Sequence, residues 1–136
     1  MILDRFRLDG RVAIVTGAGK GIGKGIALGF AEAGADVACA ARTESEIEAT
    51  AEEIRKLGRR AIAVKTDVTV TADLERLVDR TVDALGRLDV LVNNAGGTGP
   101  RPALETSERF FEAALRFNVT SAFLLSKIAI PKMVAT

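Results

Sequence analysis

The 136-residue chain has no tyrosine, no tryptophan and no histidine, and only one cysteine and three prolines. Without tyrosine and histidine, most of the acid–base chemistry that enzymes run near neutral pH cannot come from these residues. One cysteine permits no intramolecular disulfide, which fits a reducing cytoplasm. That cysteine, Cys39, lies inside the apolar run Val37-Ala38-Cys39-Ala40-Ala41 and reads as a buried structural thiol. An excess of one charge is lacking as well: 19 basic against 18 acidic residues leave +1, with both signs interspersed. On that balance neither nucleic acid nor a membrane surface is an expected partner. The N-terminus alternates charged with apolar side chains and contains no signal-peptide core. The least charged stretch, residues 118–131, carries Lys127 and reads as too short to span a bilayer. A soluble, cytoplasmic protein is the expectation, and no metal site is expected.

What is present is globular in kind, with 48% apolar and 27% charged residues. The length suits one domain, residues 1–136, burying about two-thirds of its unfolded surface. Strand and helix patterns alternate along it. Residues 12–15 and 36–41 are continuous apolar runs, as expected of strands covered on both faces. Between them Ile26, Ala27, Phe30 and Ala31 recur at helical spacing, and Gly34 supplies a stop. Ser45 with Glu48 reads as a capping box for a second helix carrying Ile47, Ala51, Ile54 and Leu57, which Gly58 ends. A third strand is expected at 61–64, a third helix from Thr71 to a stop at Gly86, and a fourth strand at 88–92. Residues 93–102 are a loop rich in Gly, Pro and Asn, and 106–136 are helical in two pieces meeting near Asn118. This order predicts a doubly wound α/β fold: a parallel sheet, right-handed crossovers, and helices on both faces.

Between the first strand and first helix stands Thr16-Gly-Ala-Gly-Lys-Gly-Ile-Gly23. A glycine-rich turn alone is a weak signal, since it can do no more than close a strand–helix connection. Here a strand precedes it, a helix follows, and a second such unit comes directly after. That is the setting in which backbone N–H groups are laid against a dinucleotide's phosphates. Gly17 can take the tight turn, Gly21 lets the pyrophosphate approach, and Gly23 permits close contact between helix and sheet. Gly19, Lys20 and Ile22 complete the loop.

The Thr-Gly-x-x-x-Gly-x-Gly spacing resembles the short-chain dehydrogenase/reductase family, and three further motifs agree in order. Asp67-Val68 follows the third strand, Asn93-Asn94-Ala95-Gly96 closes the fourth, and Phe117-Asn118-Val119 resembles the family's helix asparagine. The resemblance covers residues 8–136 and implies a Rossmann-type sheet of order 3-2-1-4 in this chain. It implies adenine contact by Asp67 and Val68, and ribose contact by Asn94, Ala95 and Gly96. For Asn118, the one residue of the catalytic set that carries over, it implies support of a proton relay through a water. Each motif has a plainer reading: Asp67 as a turn cap, the Asn-Gly stretch as turn chemistry, and Asn118 as a structural amide.

Cofactor choice turns on charge at the end of the second strand, where an acidic residue favours an unphosphorylated ribose. This chain has Ala40-Ala41-Arg42 there, with Lys20 before Gly21 as a second cation. Both suit a 2′-phosphate, so NADP(H) is expected over NAD(H).

The resemblance also implies a tyrosine general acid/base, a lysine four residues later, and a serine that orients the substrate oxygen. No tyrosine exists here, and the sequence stops inside the helix before that region. The expectation is therefore the cofactor-binding half of an oxidoreductase acting on a small carbonyl or secondary alcohol, inactive when alone. The alternative is a non-catalytic dinucleotide-binding module, a sensor or partner subunit. The last helix, carrying Phe123, Leu124, Leu125, Ile128 and Ile130, is apolar on more than one face. Self-association into a homo-oligomer through that helix is expected.

Overall fold

The computed structural model describes residues 1–136. After an N-terminal 3-10 turn come β1 (Val12–Thr16), α1 (Gly21–Glu32), β2 (Asp36–Ala41), α2 (Glu44–Lys56), β3 (Ala61–Lys65), α3 (Thr71–Leu85) and β4 (Val90–Val92). A long loop with one further 3-10 turn leads to α4 (Glu108–Leu115), a π-turn at Arg116–Thr120 and α5 (Ser121–Val134). The four strands form one parallel sheet in the order β3-β2-β1-β4, as the family resemblance implies.

Alternation along the strands divides the core. Val12, Ile14, Ala38, Ala40 and Val64 face Leu74, Leu77 and Val78 of α3 and Leu125 and Ala129 of α5. Val15, Val37 and Cys39 point the other way, onto Ala27 and Ala31 of α1 and Ile47, Ala51 and Ile54 of α2. Covering both faces is what makes the strands read as unbroken apolar runs rather than alternating ones. The expected helix stops hold, with Gly34, Gly58 and Gly86 at φ of 110°, 86° and 88°.

Three local expectations change. The Ser45–Glu48 capping box does not form: α2 begins at Glu44 with Thr43 as its N-cap, and no side chain caps it. The N–H groups of Glu46 and Ile47 instead reach Thr43 O at 3.2 and 3.3 Å, a start fixed by burial of Ile47 and Thr50. The fourth strand begins at Val90 rather than residue 88. Leu88 is apolar because it is fully buried, but its N–H turns to the Thr136 hydroxyl at 3.3 Å.

The third change concerns the last helices. The π-turn joins α4 to α5 without a break, giving 27 helical residues with a mean hydropathy of 1.3 in the most apolar window. By length and composition alone that helix is long and apolar enough to cross a bilayer, whereas residues 118–131 by themselves are too short. Its α5 half packs against β4 and α3, with Leu125 and Ala129 buried in the core shared with α3, while α4 buries no residue.

Candidate functional site

β1 ends at Thr16, whose side chain is nearly inaccessible and fully used. Its hydroxyl donates to Val92 O at 3.3 Å and accepts from the N–H groups of Asn94 and Ala95 at 3.0 and 2.9 Å. One donor and two acceptor positions are all a hydroxyl has. Thr16 thus holds the end of β4 against the end of β1.

The chain then turns sharply at Gly17 (φ 64°) and enters α1 at Gly21 (φ 57°). Gly23 is there for space: a Cβ would stand 2.0 Å from Gly17 O and 2.4 Å from Asn94 Nδ2. The Asn94 amide fills that space, donating to Thr16 O and Gly17 O at 3.1 and 3.3 Å. Ala18 is tied on both sides, its N–H to Ala40 O at 3.3 Å and its C=O to the Thr50 hydroxyl at 3.0 Å. α1 itself starts from Lys20 in an extended conformation with no side-chain cap. Its first N–H groups and the positive end of its dipole are left for a ligand anion.

Around this loop opens a cleft of about 430 Å³ at the C-terminal ends of the strands. Of the expected site residues it brings together Gly17, Gly19, Lys20, Ile22, Gly23, Arg42 and Val68. Asn94, Ala95 and Gly96 line its far wall. The remaining three do not line it. Gly21, at φ 57°, is the first residue of α1. Asp67 accepts from the N–H and hydroxyl of Thr69 at 2.9 and 2.6 Å. These two bonds, hydroxyl foremost, hold its carboxyl below the usual carboxylate range against the opposing effect of burial. Asn118 sits in the π-turn, where its side chain grips Gly97: Oδ1 accepts from Gly97 N–H at 2.6 Å and Nδ2 donates to Gly97 O at 3.1 Å.

Several residues that line or build the site have no counterpart in the sequence reading. Phe117 reaches the cleft from within the π-turn, and Thr43, Glu46 and Thr66 line the floor and the β2 side. Arg116 stretches from the π-turn to Thr69 O at 2.8 Å, joining the wall made by Val68 to the one made by Gly96. Cys39 is not part of the site; burial pushes its thiol up to about 12, so it is inert. The donor set fits an anionic dinucleotide: uncapped helix N–H groups, a glycine cradle that a side chain would fill, and two cations, Lys20 and Arg42.

The family model described as short chain dehydrogenase matches residues 11–136. The chain belongs to the short-chain dehydrogenase family. Among curated relatives of this short-chain dehydrogenase chain, an uncharacterized oxidoreductase of Mycobacterium tuberculosis is 49% identical over 98% of the chain. The 7α-hydroxysteroid dehydrogenase of Escherichia coli is 44% identical over 96% of it. The chain spans about half the length of these relatives, 51% in each case. A solved 7α-hydroxysteroid dehydrogenase, complexed with NADH and 7-oxo glycochenodeoxycholic acid, superposes with a TM-score of 0.92 at 44% identity. That match covers 96% of this chain and 51% of the other. A short-chain type dehydrogenase/reductase from Mycobacterium marinum superposes at 0.93 with 38% identity, over 99% of this chain and 55% of its own. The parallel 3-2-1-4 sheet is the Rossmann-like fold of this oxidoreductase family.

Proposed function

We propose that these residues are the cofactor-binding part of an oxidoreductase that moves hydride between NADP(H) and a small carbonyl or secondary alcohol. The observation that carries this reading is the pairing of the uncapped α1 N-terminus with Lys20 and Arg42 in one cleft. Gly17, Gly19, Gly21, Ile22 and Gly23 shape the phosphate-binding backbone. Arg42 and Lys20 take the 2′-phosphate, Val68 borders the adenine with Asp67 holding its turn, and Asn94, Ala95 and Gly96 border the ribose. When bound, the nicotinamide supplies the hydride. Asn118 fixes the loop on that side through Gly97 and, as the family resemblance implies, supports a proton relay through a water. The relative with NADH shows that the family also takes the unphosphorylated cofactor; the preference here is argued from this chain's own two cations.

No tyrosine is present among these residues to serve as the general acid. That absence is also the one observation favouring the second reading, a non-catalytic dinucleotide-binding module. An apolar stripe supports a homo-oligomer through the last helices: Phe111, Leu115, Val119 and Phe123 recur every four residues and are 58%, 45%, 59% and 64% exposed. A cytoplasmic location agrees with the single buried thiol.

The test is carbonyl-dependent oxidation of NADPH by the purified 136 residues, beside a reading of the coding frame past Thr136. The proposal expects no turnover from these residues and a downstream serine followed by Tyr-x-x-x-Lys. Robust turnover by the chain alone contradicts it, and a frame without that motif favours the non-catalytic module.

A further inference from the structure

Lys20 and Arg42 share their part of the cleft with a carboxylate, Glu46. It belongs to the first turn of α2, and α2 is fastened to the phosphate-binding side of the molecule. The Thr50 hydroxyl bonds Ala18 O at 3.0 Å, and Lys24 of α1 pairs with Glu53 at 2.8 Å. Glu46 itself lies directly on the loop. A Cβ on Gly19 would stand 2.8 Å from Glu46 Cβ and 3.0 Å from its Oε2. The carboxylate therefore rests against the backbone one residue before Lys20, in space that only a glycine at position 19 leaves open. Of the neighbouring acids, Asp67 accepts from Thr69 and Glu53 pairs with Lys24. Glu46 enters no ion pair.

We propose that Glu46 is a specificity-determining residue, whose unpaired carboxylate limits how strongly the cleft prefers a 2′-phosphorylated dinucleotide. A carboxylate beside a ribose accepts hydrogen bonds from its hydroxyls and repels a phosphate carried on the same oxygen. Asp67 already acts on the charge of Arg42, and Glu46 adds a second, unpaired carboxylate beside the two cations, so Glu46 opposes the 2′-phosphate that Lys20 and Arg42 attract. It thereby keeps the unphosphorylated cofactor within reach. The inference rests on the reading of the cleft as an NADP(H) site.

Glu46→Gln removes the charge, keeps the volume and retains the backbone carbonyl that accepts from Thr50 at 3.2 Å. The experiment is fluorescence titration of NADPH and NADH into the purified wild-type, Glu46→Gln and Arg42→Ala proteins. The expected result is NADPH binding about fivefold tighter in Glu46→Gln, with NADH unchanged or weaker. A merely structural role would move both affinities together and leave their ratio alone. An unchanged ratio in Glu46→Gln overturns the inference even if Arg42→Ala abolishes a preference for NADPH. A preference that Arg42→Ala leaves intact counts against the NADP(H) reading instead, while the Glu46→Gln ratio still decides this one. Failure of the wild type to bind either dinucleotide overturns both.

Discussion

Asn118 and Gly97 exchange two hydrogen bonds, side chain to backbone, directly behind Phe117 and Gly96 in sequence, which line the cleft. Gly97 N–H donates to Asn118 Oδ1 at 2.6 Å, and Asn118 Nδ2 donates back to Gly97 O at 3.1 Å and to Ala114 O at 2.9 Å. The asparagine is therefore held by both partners within the π-turn and holds the loop after β4. Asn118→Ala is expected to cost about 1–2 kcal/mol and to release Gly97. Thermal denaturation and hydrogen exchange at the Gly97 amide measure the two effects. Full protection of that amide in the variant contradicts the role.

Thr16 fastens β4 to β1 with every hydrogen-bonding position it has. Thr16→Val keeps the shape but strands Val92 O and the N–H groups of Asn94 and Ala95. A loss of about 3 kcal/mol is expected in urea denaturation, against less than about 1 for Thr16→Ser, which keeps the hydroxyl. Equal losses in the two variants contradict the account.

Glycines in and beside the loop separate by what surrounds them. Gly23→Ala would press a methyl into Gly17 O and Asn94 Nδ2, and is expected to abolish dinucleotide binding and lower stability by several kcal/mol (roughly 3 or more). Gly25 and Gly29 lie in α1 with nothing within 4 Å of an added Cβ. Alanine at either is expected to raise stability by about 0.5–1 kcal/mol. Denaturation midpoints of the three variants check the contrast.

Two aspartates at the opposite end of the sheet make folding acid-sensitive. Burial pushes the Asp36 carboxyl up, but the N–H and guanidinium of Arg60 and the charge of Arg59 together hold it below its ordinary value. The Arg87 guanidinium does the same for Asp89 against burial, helped by Val12 N–H and Arg11. Depressed folded values mean this stability is present above the unfolded carboxylate range, near about 4, and is lost as pH falls through the folded values. Urea midpoints between neutral and strongly acid pH are expected to drop in that window. Asp89→Asn should be weaker at neutral pH and lose less on acidification; an acid limb as steep as wild type contradicts it.

Signals confined to one segment were legible in the sequence. Apolar runs and periodicity located the strands and helices to within a few residues, glycines marked the helix stops, and the Thr16–Gly23 spacing pointed to the loop that lines the cleft. What was not legible depends on partners far along the chain. The Thr16 hydroxyl meets residues 76–79 positions away. Phe117 lines the cleft from within a π-turn, a local widening of the helix that no periodicity marks. Leu88 looks like strand because burial and strand pairing leave the same apolar mark. Ser45 looks like a cap because the packing of Ile47 and Thr50 that moves the start of α2 is not local.

The proposed binding mode lays NADP(H) on the N-terminus of α1, with its 2′-phosphate toward Arg42 and Lys20. Its most direct measurement is amide hydrogen exchange of the purified protein with and without saturating NADPH, repeated with Arg42→Ala. The account predicts new protection over residues 17–23 and 94–96, reached at higher NADPH concentration in the variant. Binding that leaves residues 17–23 exchanging as in the free protein would contradict it.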